Sequence, residues 1–129
     1  MYDISREKYG FKITFTGAIS PDEMQKWVNQ SNTVLLLQTG KFGVLFDMRD
    51  VSPLAPESRR LLEQGQARYR EKGMERSAVV VKAGYTAAAM RLAAHASGNG
   101  KWERYIDASR VPNWEPRAVV WLVSGEEPS

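Results

Sequence analysis

Two short apolar runs constrain the fold more than anything else in the chain: Phe42–Phe46, broken only by Gly43, and Ala78–Val81. Short apolar runs bounded by turn signals read as strands buried on both faces. Such strands belong in the middle of a parallel sheet covered by helices. Phe42–Phe46 and Ala78–Val81 are therefore expected to be adjacent, central and parallel. Asp47, Met48, Arg49 and Asp50 follow the first run, and then comes a turn punctuated by Pro53 and Pro56. Carboxylates just past such a strand sit where open α/β sheets place their sites.

The flanking segments have other periods. Tyr2–Arg6 and Phe11–Thr16 alternate apolar with polar residues around the turn Glu7–Gly10, which predicts a half-buried β-hairpin. Ile4, Phe11, Ile13 and Phe15 would share its core face. Ser20-Pro21-Asp22-Glu23 is a helix start, with a cap, a proline at the first position and an acidic residue three after the cap. Ile19 and Met24 can staple it, and Met24, Trp27, Val28, Ser31 and Leu35 form the buried stripe. This helix is expected to reach about Leu37 and to stop at Thr39-Gly40, although Thr33–Leu37 also suits a strand. Pro56 opens a second helix with Glu57 in its first turn, Leu61, Leu62, Gly65 and Tyr69 inward and Gly73 as its stop. Thr86 caps an alanine-rich helix over Ala87–Ala96, and Gly98–Lys101 is a turn. Trp102–Ile106 reads as the last strand. A final helix starts at Asn113 or Trp114, with Ala118, Trp121 and Leu122 inward. The expected fold is α/β: an N-terminal hairpin, then alternating helices and strands, with a mostly parallel sheet of about five strands and four helices. Residues 1–125 form one domain, and residues 126–129 a flexible tail.

Composition removes several function classes. The 129 residues suit one domain, and without cysteine there is no thiol chemistry, disulfide or zinc–thiolate site. No apolar run is long enough to cross a bilayer, and the polar start MYDISREKYG does not read as a signal peptide, so a cytoplasmic protein with no membrane insertion is expected. The net charge of +3 is spread among fifteen acidic residues with no basic stripe, which argues against a nucleic-acid partner.

The order of these elements resembles a STAS domain, the module of anti-sigma-factor antagonists and sulphate-transporter tails. The resemblance covers most of the chain. It rests on the hairpin ending at Gly17, the first helix, the strand ending in Asp47, Val51, the turn and second helix, and the closing Tyr105-Ile106-Asp107, Ala118 and Trp121-Leu122. In the signalling members of that family a phosphorylatable serine follows an aspartate at the start of the second helix. Counted from Asp47 and Val51, those positions are Ala55 and Pro56, so both residues of the switch are missing here. The resemblance implies a non-enzymatic regulatory module that docks another protein, without a cofactor.

The expected partner-binding surface comprises Asp50, Ser52, Pro56, Glu57, Arg59, Arg60 and Glu63, with Glu71 farther along the helix. Ser52 and Ser58 flank the lost phosphoacceptor and are the candidates for a relocated phosphate. An alternative reading is a carrier of a small apolar ligand or lipid. Its pocket would lie between the alanine-rich helix and the sheet, where Ala87–Ala89, Ala93 and Ala94 leave room, lined by Met90, Trp102 and Trp114. A hydrolase using Asp47 and Asp50 ranks last. Those carboxylates suit a hard cation, yet further oxygen ligands cannot be placed, so one capping the turn and the other pairing with Arg49 or another surface base is preferred and no metal is expected. His95, the single histidine, has no nucleophile or second ligand in view and reads as a structural or surface residue. Trp27 and Trp121 belong to core faces, and a homodimer is expected.

Overall fold

In the computed structural model, which describes residues 1–82 and 99–128, the chain runs β1 (Tyr2–Glu7), β2 (Gly10–Gly17), α1 (Pro21–Leu35), β3 (Phe42–Val51), α2 (Pro56–Glu71), β4 (Met74–Val81), β5 (Glu103–Asp107) and α3 (Trp114–Ser124). A 3-10 turn, Asn99–Lys101, precedes β5. The sheet order is β1-β2-β3-β4-β5. β1 runs antiparallel to β2, and the other three pairings are parallel. The described residues thus form a mixed five-stranded sheet with three helices. The helix expected over Ala87–Ala96, with Thr86, Met90 and His95, lies outside them.

The strands are laid down in steady order, so right-handed crossovers put α1 and α2 on the same face. Beneath them lie Phe11, Ile13 and Phe15 of β2, Val44 and Phe46 of β3, and Val79 and Val81 of β4. α3 covers the opposite face, setting Ala118, Trp121 and Leu122 against Leu45, Ala78, Val80 and Ile106. The Trp121 indole Nε1 donates to the Ser77 carbonyl at 2.9 Å. β3 and β4 are covered on both sides, which explains their continuous apolar runs. α3 packs on β3, β4 and β5. The outer hairpin keeps a polar face, which explains its alternation.

Trp27 lies at the centre of the larger core and is fully buried. Its ring stacks on Tyr69 at 6.0 Å and meets Phe15 edge-on at 5.3 Å. The Tyr69 hydroxyl donates to Ser31 Oγ at 2.8 Å, which joins α2 to α1 through a buried polar contact.

Several boundaries differ from expectation. α1 ends at the buried Leu35, and Leu36 and Leu37 beyond it are 74% and 87% exposed, so nothing buries the last two residues of the apolar segment that suggested a longer helix or a strand. β3 runs on to Val51, because its pairing with β2 continues to Gly17 across an irregularity between Thr14 and Thr16. Within the segment expected to be a loose tail, Arg104 Nε holds both carboxylate oxygens of Glu127, and Pro128 is buried.

Candidate functional site

The parallel strands β2, β3, β4 and β5 end along one edge of the sheet, the edge where open α/β sheets carry their sites. At that edge the Ser52 N–H donates to the Gly17 carbonyl at 2.9 Å, fixing the start of the β3–α2 turn. Lys82, just past β4, reaches across to Asp50 Oδ1 at 3.0 Å. The turn leads to Ala55, the extended N-cap of α2, which makes no side-chain cap bond, and Pro56 takes a first helical position. The first-turn amides therefore lack the side-chain acceptor that a serine or aspartate would supply. Asp50, Ser52, Pro56, Glu57, Arg59, Arg60 and Glu63 are all exposed. They lie along the chain from the end of β3 to the second turn of α2. Glu71 sits at the far end of α2, paired with Arg68 at 2.8 Å, and lies outside that stretch.

Several expected site residues are placed elsewhere. Ser58 is fully buried, and its hydroxyl donates to the Ile19 carbonyl at 3.0 Å. A phosphate there would have to break that bond and separate α2 from the chain entering α1, so Ser58 is not an accessible acceptor. Asp47 does not lie past the strand. It is buried within β3, and Arg49 grips both its oxygens at 2.9 Å. Burial pushes the Asp47 carboxyl up, but the hydrogen bonds and charge of Arg49, with Lys12 beyond, outweigh it and hold the group below the usual carboxylate range. Asp47 and Asp50 are each committed to a different cation, and among the described residues no cluster of three metal-ligating side chains occurs.

The expected carrier pocket is not assembled by its two tryptophans. Trp102 packs against the α1/α2 core and lies under the Arg70 guanidinium at 4.3 Å. Trp114 packs against the α3 core under Arg49 at 4.4 Å. The sheet separates them, and Met90 lies outside the described residues.

The sequence predicts a carboxylate paired with Arg49 or another surface base, and Asp47 and Asp50 are paired in that way, but three further features were not read from it. Arg49 joins Asp47 to the Trp114 ring, and Lys12 meets Glu115 at 2.8 Å, so the start of α3 is tied to β2 and β3 by charge and cation–π contacts. The signal was present, since Asp47 and Arg49 share a face two residues apart on a strand. The Lys82–Asp50 link had no local signature. At the end of β5, Asp107 Oδ1 accepts from the Ser109 N–H at 3.0 Å, while its buried Oδ2 makes no hydrogen bond and has Arg110 Nε at 3.7 Å. The Asp-Ala-Ser sequence there is a recognisable turn signal.

Fold and site together define an open α/β domain with an exposed, mixed-charge rim at the strand ends. No family model matches the sequence, and no curated protein matches it. Among solved structures the chain is similar to an uncharacterized DUF3478-family protein from Shewanella loihica PV-4, described as having a SpoIIAA-like fold. The TM-score is 0.66 at 17% identity, over 95% of this chain and 92% of that one. The fold is therefore SpoIIAA-like, which is STAS-like, in accord with the order of elements in the sequence.

Proposed function

We propose that this domain is a non-enzymatic, STAS-like regulatory module that docks another protein through the β3–α2 rim and is not switched by phosphate at the family position. The observation that carries this reading is the start of α2. Ala55 and Pro56 occupy its cap and first position, so neither offers a hydroxyl or a carboxylate. The charged, exposed residues crowd around that same point. Proline also fixes the helix start and removes one amide donor, which leaves the turn in a single state. Arginines in a polar rim suit a transient interface, and Arg59 and Arg60 are its central pair. Ser52 stays exposed, and a relocated phosphate there is the competing form of the same reading.

The test is site-specific photo-crosslinking in cells of the host. A photoreactive residue replaces Arg60 on the rim, and in a second variant Asp3 on the outer strand β1. A discrete adduct with one other protein from position 60 and none from position 3 supports the reading. No adduct from position 60, or the same adducts from both, contradicts it.

A further inference from the structure

α3 is apolar nearly all the way round, although only one side of it faces the sheet. Ala118, Trp121 and Leu122 are buried, while on the outer side Val120 and Val123 are 41% and 64% exposed. Pro116, Val120 and Val123 fall at i, i+4 and i+7, which makes one continuous outward ridge. A helix hydrophobic on both sides is ordinarily covered on both sides.

The charges beside the ridge indicate what covers it. A groove along α3 is lined by Asn113, Pro116, Arg117, Val120, Glu126 and Glu127. Glu127 is committed to Arg104. The Arg117 guanidinium donates to Asn113 Oδ1 at 3.2 Å and has no carboxylate partner among the described residues. Glu126 is exposed and has no cationic partner among them. The groove therefore carries an uncommitted cation in the first half of α3 and an uncommitted anion just past its C-terminus. Gly125 turns the chain there with a left-handed φ of 78°.

This surface complements itself. We infer that its occupant is a second copy of this chain, with the two α3 helices antiparallel across a two-fold axis near Val120. The axis keeps the same flank of both helices together and reverses their direction. It sets each Val123 toward the other copy's Pro116, and each Arg117 toward the other copy's Glu126. That is an isologous interface, with one patch paired to itself. It lies on the face of the sheet opposite α1 and α2, so it leaves the β3–α2 rim free and does not depend on the docking function proposed for that rim. The patch is small, so the dimer is weak and reversible.

The experiment is sedimentation equilibrium between about 10 µM and about 1 mM, a span that reports dissociation energies in the weak-association range. The samples are wild type, Arg117→Glu, Glu126→Arg and an equimolar mixture of the two variants. Melting curves confirm that each variant is folded. Wild type is expected to dimerise. Each single variant faces like charge with like charge and is expected to weaken dimerisation by about tenfold or more. In the mixture both contacts are again opposite in sign, so dimers return. Three results overturn the inference: a wild type that stays monomeric throughout the range, single variants that dimerise as well as wild type, or a mixture that does not recover.

Discussion

The α2 backbone at Gly65 lies directly against the Trp27 ring of α1: a Cβ built on Gly65 would stand 2.2 Å from Trp27 Cζ3. The contact brings the two helices together at the centre of the face that supports the β3–α2 rim. Alanine at position 65 would add helix propensity but would have to displace a ring hemmed in by Phe15, Phe46 and Tyr69. Overpacking outweighs propensity here. Gly65→Ala is expected to destabilise by about 1–2 kcal/mol in denaturant melts, and an unchanged or raised midpoint would contradict this packing.

Removing the ring has a larger effect. Trp27→Ala deletes the most central large side chain and is expected to cost about 3–5 kcal/mol. A loss below about 1 kcal/mol would place Trp27 outside the cooperative core.

Much of this was legible. The apolar runs marked β3 and β4, alternation marked the hairpin, and Ser20-Pro21 and Pro56 marked two helix starts. Other features needed three dimensions. Trp102 and Trp114 both look like loop-edge aromatics, and only the path of the chain puts them on opposite faces of the sheet. Asp47–Asp50 reads as lying past the buried strand because charged residues seldom sit inside a covered strand. The Arg49 side chain, two residues along the same face, is what makes Asp47 tolerable there. Ser58 was misread although it lies four residues before Leu62 and seven before Gly65, on the buried stripe of α2.

The Asp47–Arg49 pair makes stability pH-dependent. The folded pKa of Asp47 is depressed, so its contribution is present above the unfolded value, about 3.9, and is lost as pH falls through the folded value. Asp47→Asn is expected to cost about 1–3 kcal/mol at neutral pH. The gap from wild type should narrow as pH falls below about 4. A gap that does not change with pH would show that the carboxylate charge contributes nothing.

Tyr69 acts at the opposite end of the pH scale. Burial pushes its hydroxyl up to about 12, against the weaker opposing effect of its bond to Ser31. The folded state holds this proton more tightly than the unfolded one, so its contribution is complete below about pH 10 and falls as pH rises toward the folded value. Tyr69→Phe should remove that alkaline component and cost about 1 kcal/mol at neutral pH, the net worth of one buried hydrogen bond. An alkaline unfolding profile identical in wild type and variant would contradict this assignment.

The central claim is that an unphosphorylated β3–α2 rim docks a protein partner. Its most direct test is the affinity of the partner captured from position 60 for recombinant protein whose mass shows no phosphate, compared between wild type and the Arg59→Glu, Arg60→Glu double variant. Unmodified wild type is expected to bind, and the double variant to bind at least about tenfold more weakly while keeping its melting temperature. Binding that appears only after phosphorylation of Ser52, or that the double variant leaves unchanged, would contradict the account.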